Sequence, residues 1–383
     1  HGYFMEVDAA RLQLYRNQGG LDLMCRTTEH LRSEEELHAC MRTVQLLELD
    51  GLVLVGGFHA IANSALMAEF FLERDIATAV VAVPMNVDNG MPLVPVALGH
   101  DTACRVFSSI IGSIMTDAKS GKCWFFVRVS GKSMSHICVE CALDTHPTLV
   151  LISEEIEAKK MGLSAITNLI SDIVEARANH GINYGVVLLP DSLFAHVPEM
   201  HMLIEEINTL FECGVYTFDS LASAGEGEEA IDPIRSRLTA WSGALFDSLP
   251  KRIQWQMAFA KDQTDKVDLT SIDSEVLLRR MVEAELARRK SIGTFRRGSF
   301  SCRTHSLAYQ GRSSLPSNFD CDLGYTMGFA SAALIEFRRT GYVVSVSNLD
   351  QHPSNWQVSA VPMTAMVEVI PVKSDFAGSA MAR

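Results

Sequence analysis

Leu52-Val53-Leu54-Val55-Gly56-Gly57-Phe58-His59 and Ala79-Val80-Val81-Ala82-Val83-Pro84-Met85-Asn86-Val87-Asp88-Asn89-Gly90 are the two stretches that decide how this chain folds. Each opens with a short, apolar, β-branched run and breaks at glycine or proline, as buried strands do. Between them, residues 60–72 place Leu66, Met67, Phe70 and Phe71 at helical spacing, so the whole reads as a βαβ unit. Parallel sheets collect ligands beyond the carboxyl ends of their strands, where glycine admits a phosphate to the backbone and the next helix offers free N–H groups. Gly56 and Gly57 in the first loop and Pro84 to Gly90 in the second have that shape. Phosphoryl transfer also needs carboxylates, to hold magnesium and to take the proton from the attacking hydroxyl. Asp88 alone supplies one here.

With 383 residues and 48% hydrophobic content, the chain is long enough for two domains with separate cores. Its 33 basic against 46 acidic side chains give a net charge of −13, which argues against nucleic acid or a membrane surface as a general partner. No apolar run approaches the ~20 residues that span a bilayer, and the nine scattered cysteines suit a reducing compartment, so a soluble cytoplasmic protein is expected. Cys138-Val139-Glu140-Cys141 lacks a second pair at zinc spacing and is expected to be structural. Ser130-Gly131-Lys132-Ser133 ends like a nucleotide-binding P-loop, but the glycine that such a loop requires first falls at Phe126. His196 and His201 are five apart and flank Pro198, which does not fit a zinc-protease pair.

Outward from the first unit, helix and strand patterns keep alternating. Helices are expected over 33–48, 102–118 and 164–180, and strands at 124–129, 148–152 and 185–190. This alternation predicts parallel sheets with helices on both faces. From about residue 218 to 298 the pattern turns charged and helix-rich, with Thr270 and Asp273 resembling a capping box. The basic end, Arg288-Arg289-Lys290, is expected to be a solvated helix terminus favoured by the helix dipole. Strand patterns return at 342–346 and 366–370.

Tyr309-Gln310-Gly311-Arg312-Ser313-Ser314-Leu315-Pro316-Ser317-Asn318-Phe319-Asp320 adds a resemblance. With Tyr15 to Gly20, Gly99 to Cys104, Ser135-His136, Glu140 to Leu143, His146-Pro147, Glu154-Glu155, Gly185 to Pro190 and Ser347 to Leu349 in the same order, the chain resembles phosphofructokinases of the pyrophosphate-dependent type over essentially its whole length. The resemblance implies an α/β fold of two doubly wound parallel-sheet domains with a helical insertion. The expected division is a donor-side domain at 1–103, a sugar-phosphate domain at 104–217, the insertion at 218–300 and a return segment at 301–383 that completes both. It also implies a preceding strand and glycine-rich loop that cradle the donor phosphates. The sequence starts at His1, past that point, and a missing segment, a cleaved one and a longer or fused polypeptide all stay open.

By position in the family motifs, Tyr309 and Arg312 would hold the sugar phosphate, and Glu154 and Glu155 would contact sugar hydroxyls. Lys132 stands where the family has arginine, which keeps the charge but not the bidentate fork. The donor half departs further. Phe58 replaces the aspartate of a Gly-Gly-Asp loop, Met85 a lysine, Asn86 a threonine and Gly90 an aspartate, while Asp88 matches the base that activates the sugar hydroxyl. The degenerate donor site is therefore Gly56, Gly57, Phe58, Met85 and Gly90, no metal site is expected, and no cofactor is expected to bind tightly, the family's Mg²⁺ having lost its ligands.

The expected function is a phosphofructokinase-like subunit that binds a fructose phosphate, is catalytically impaired, and works as a homo- or hetero-oligomer with an active homologue. Phe319 to Asp322 is similar to the regulatory kind of subunit. Two alternatives stand beside this reading: an active 6-phosphofructokinase whose donor site is completed by other segments, and a scaffold protein that keeps only the fold.

Overall fold

The computed structural model describes residues 4–27, 30–31, 33–131, 135–213, 231–262, 266–370 and 379–382. Lys132 and the start of the charged stretch after residue 217 lie outside the described residues. The strands are β1 (Gly51–Gly56), β2 (Ala79–Pro84), β3 (Trp124–Val129), β4 (Leu149–Val150), β5 (Gly185–Pro190), β6 (Cys302–Leu307), β7 (Tyr342–Ser347) and β8 (Gln357–Pro362), with a further antiparallel pair at Val367–Ile370 and Ser379–Ala382. Two units divide the chain: His1–Arg105 with Gly311–Arg383, and Val106–Gln310. The breaks thus fall at 105/106 and 310/311.

In the first unit the sheet order is β1-β2-β7-β8. β1, β2 and β7 run parallel, and β8 closes the edge antiparallel to β7. β2 is buried throughout and joins three clusters, Val80 packing with Met67, Phe70 and Phe71. Val81 and Val83 pack with Leu323 and Met327 of the helix Asn318–Glu336, and Ala82 packs with Ile61, Met91, Val94 and Val343. Gly51 is required, because a Cβ there would lie 2.6 Å from Ile335 Cδ1. The edge strand β8 escapes sequence reading because its side chains are mostly exposed, which leaves no alternation to detect.

In the second unit the sheet order is β4-β5-β3-β6, all parallel. Trp124 and Phe126 of β3 and Val187 and Leu189 of β5 join one cluster with Ile166, Ile170, Leu203, Phe246, Met257 and Leu278. The helices Ala240–Ser248, Lys251–Phe259 and Ser274–Ile292 of the charged stretch thus share the core of the sheet. Gly185 lets the Trp124 indole close over the neighbouring strand, since a Cβ would sit 2.7 Å from its Cη2. Cys138 and Cys141 are fully buried, and burial pushes the Cys138 thiol well above its ordinary range. No helix among the described residues is long and apolar enough to cross a membrane.

Two expected elements are corrected. The strand at 148–152 shortens to Leu149–Val150, because the helix Ser153–Ala158 starts immediately afterwards. Thr270 and Asp273 form no capping box. Thr270 Oγ1 donates to Asp268 Oδ1 at 2.8 Å, and the Asp273 carboxylate is drawn to Arg252 Nε at 2.6 Å. An ion pair takes an oxygen that a neutral cap would have used.

Polar groups buried in each unit fix its elements. Asp320, 4% exposed, accepts from Gly99 N–H at 3.0 Å and from Thr102 N–H at 2.9 Å, and also from the Thr102 hydroxyl. It thereby caps the helix His100–Gly121 from another helix. In the second unit Arg128 of β3, 6% exposed, meets Asp191 Oδ1 at 3.1 Å and Glu275 Oε2 at 2.8 Å, and its Nη1 donates to the Thr270 and Ile272 carbonyls at 2.7 and 3.0 Å. Burial pushes the Asp191 carboxyl up to about 7, against the pull of Arg128, and pushes Glu275 up as well.

Asp320→Ala strands the donors at Gly99 and Thr102 and lowers stability in urea unfolding by about 1–3 kcal/mol, whereas Asp320→Asn, which keeps an acceptor oxygen, loses less. Asp191 releases its proton near 3.8 when unfolded and near 7 when folded. Between those values the native state binds the extra proton, so this group's contribution to stability falls as pH rises and levels off above about 7. Urea unfolding at pH 5, 6, 7 and 8 reads this as a wild-type stability that declines relative to Asp191→Asn from pH 5 to 7.

Candidate functional site

In the first unit the paired ends of β1 and β2 fall side by side, with Gly56 opposite Pro84. Met85 N–H donates to the Gly56 carbonyl at 2.9 Å, and the chain returns to the same point through Leu98 N–H to Pro84 O at 3.0 Å and Asn86 N–H to Leu98 O at 3.2 Å. Asn89, in the left-handed region at φ 51°, holds the loop shut by accepting from Ala97 N–H at 2.8 Å. The His100 ring nitrogen Nδ1 donates to Val87 O at 2.7 Å, and Asn86 Oδ1 accepts from Asp88 N–H at 3.1 Å. Asp88 is therefore set in a braced turn and is only 5% exposed.

The other residues of the two strand-end loops are placed differently. Phe58 packs into the apolar cluster of Ile61, Ala82, Met91, Val94 and Val343, so its place is occupied by hydrocarbon drawn partly from the second loop itself. Gly57 stands at the N-cap of the helix Phe58–Glu73 and gives it no side-chain cap. Met85 is exposed, and Gly90 contributes no side chain. A magnesium ion takes oxygen ligands, usually at least one carboxylate with waters and phosphate oxygens. Phe58, Met85 and Gly90 offer none, and no group of three His, Cys, Asp or Glu among the described residues could hold a metal.

In the second unit Glu154 and Glu155 open the helix Ser153–Ala158 at the end of β4, and the two differ. Glu154 Oε1 accepts from Ser135 N–H at 2.9 Å. Partial burial raises its carboxyl, but the Ser135 N–H, its own N–H and the Ser135 hydroxyl outweigh this and hold it below the usual carboxylate range. Glu155 is exposed and pairs with Lys159 at 2.5 Å, one helical turn on. Tyr309, near the end of the second unit, and Arg312, in the first, fall at i and i+3 of the helix Tyr309–Ser313 and are both exposed.

The sequence reading missed the groups beneath Glu154. Ser153 N–H donates to Ser135 Oγ at 2.9 Å, and Ser153 Oγ lies 3.0 Å from Ser192 Oγ, next to Asp191. Asp191 in turn accepts from Gly131 N–H and the Ser130 hydroxyl. Two signals stood in the sequence: an arginine inside the otherwise apolar β3, and an acid directly after β5.

Residues 1–232 match the phosphofructokinase family. Over 369 residues the chain is 36% identical to pyrophosphate–fructose 6-phosphate 1-phosphotransferase subunit beta 1 of Arabidopsis thaliana, covering 96% of this chain and 63% of that protein. It is also 36% identical over 368 residues to subunit alpha of the same enzyme from Solanum tuberosum, covering 95% of this chain and 58% of that one. The chain thus spans less than two thirds of the length of these relatives. The pyrophosphate-dependent phosphofructokinase of Nitrosospira multiformis superposes with a TM-score of 0.54 at 12% identity, over 88% of this chain and 64% of that chain, a likeness of fold. The chain belongs to the phosphofructokinase family.

Proposed function

We propose that the chain is a phosphofructokinase-family subunit that binds a fructose phosphate, is impaired in its donor half, and acts as regulatory or structural partner of an active homologue. The observation that carries this reading is Phe58, which stands in the place of a metal-binding carboxylate and is packed among Ile61, Met91 and Val94. Removing a metal ligand and charged donor contacts together withdraws electrostatic stabilisation worth roughly 10²-fold or more per group. The sugar side is better kept. Arg312 offers a permanent charge in a fork that fits phosphate, Tyr309 a neutral donor, and Glu154 an ionised acceptor for hydroxyls. Glu155 contributes less, because Lys159 already engages it. Asp88 remains as a residual base. The relatives are named as alpha and beta subunits, which supports work in an oligomer, and the chain is as similar to one kind as to the other.

Calorimetry of the purified full chain with fructose 6-phosphate is expected to give micromolar binding. Arg312→Ala weakens it by more than about tenfold, the loss of a charge-assisted bond worth about 1.5–3 kcal/mol. No binding at millimolar sugar would instead favour a scaffold. Phosphorylation of fructose 6-phosphate, with pyrophosphate or ATP and magnesium, is expected to stay below ~1 per second; faster turnover that Asp88→Ala abolishes would sink the impairment. Phe58→Asp places an unpaired carboxylate in an apolar cluster, so urea unfolding shows a loss of about 2–4 kcal/mol and turnover does not rise.

A further inference from the structure

Among the described residues, the buried charges beneath the candidate sugar site do not balance. Arg128 is the cation at their centre, and Asp191 and Glu275 both press on it while 4% exposed. Asp273, 4.0 Å from Arg128, is matched by Arg252 of the helix Lys251–Phe259. Among the described residues that leaves one guanidinium facing two buried carboxylates. Burying an uncompensated charge is costly, and the cheapest remedy within reach is a proton.

The two carboxylates are not equivalent in what they hold. Glu275 belongs to the helix Ser274–Ile292 and bonds within it. Asp191 instead anchors loops: its carboxylate accepts from Gly131 N–H and the Ser130 hydroxyl, its own N–H donates to Val129 O at 3.1 Å, and the next residue, Ser192, meets Ser153 beside Glu154. Among the described residues the remaining titratable neighbour is Cys138, on the helix His136–Thr145, which also senses Glu154. Arg128 also meets Glu275 and the carbonyls of Thr270 and Ile272, contacts on the side away from the loops that Asp191 holds.

We propose that Arg128 and Asp191 form a proton-responsive positioning latch, in which ionised Asp191 holds the Ser130–Gly131 turn and the Ser153–Glu154 segment in their sugar-binding arrangement and protonated Asp191 releases the turn. The coupling to sugar rests on the fructose-phosphate reading above. Hydrogen bonds to an ionised carboxylate are roughly twice as strong as those to a neutral acceptor. A ligand that needs the ionised form has its affinity scaled by the fraction ionised, roughly tenfold between pH 8 and pH 6 for a group titrating near 7.

Two measurements on the full chain test this. Amide hydrogen exchange, read as a protection factor for the peptide containing Gly131, is expected to show protection that drops from pH 8 to pH 6 in wild type and stays flat in Asp191→Asn. Ser130→Ala removes a donor that favours the ionised form and moves the midpoint of the drop to higher pH, which keeps the test open should Asp191→Asn fold poorly. Protection without pH dependence in wild type, or an equal drop in Asp191→Asn, overturns the latch. Calorimetry with fructose 6-phosphate is expected to show the roughly tenfold weakening in wild type beyond that seen in Asp191→Asn, where only the ligand's own phosphate titrates. Equal weakening in both overturns the coupling. Absence of sugar binding at every pH, with the protection change intact, removes the fructose-phosphate reading and leaves the latch standing.

Discussion

Parallel pairing in register is the constraint from which the rest of the molecule follows. In each unit neighbouring parallel strands point the same way, so their carboxyl ends finish along one edge and the loops that leave them become neighbours. That is how Gly56 comes to lie opposite Pro84, and how the turn after β3, the short helix after β4 and Asp191 after β5 come to share a hydrogen-bonded network. Strands buried on both faces can tolerate such an edge only if its polar groups find partners. The loop after β2 finds them within itself, through Asn86, Asn89 and His100.

The two units use that edge in opposite ways. At the ends of β1 and β2 apolar packing has taken over: Phe58 joins Met91 and Val94, leaving Asp88 as the acid of the loop. At the ends of β3, β4 and β5 polarity has been kept and concentrated, with an arginine and acids buried around serines. Family membership accounts for the shared scaffold, and the side chains at the strand ends distinguish the two units.

Much of the architecture was legible from periodicity alone. The βαβ unit at residues 51–84, the buried strands at 124–129 and 185–190, and the helices around 34–46 and 163–179 all carry patterns with a single physical reading. The exposed edge strand β8 carried none, and Thr270 with Asp273 carried a misleading one, since the local cap lost its acid to Arg252. Among the site residues, Glu154 and Glu155 looked alike in sequence and separate only in space, where Ser135 takes the first and Lys159 the second.

By itself the sequence determined the fold class and the position of the strand-end loops, because these depend on residue type and on spacing along one strand or helix. Only the tertiary structure decided what packs around Phe58, that Asp320 caps a helix distant in sequence, and that Arg128 meets both Asp191 and Glu275. Each of these depends on distances between residues far apart in the chain, and a buried charge acquires its meaning from the partners that folding brings to it.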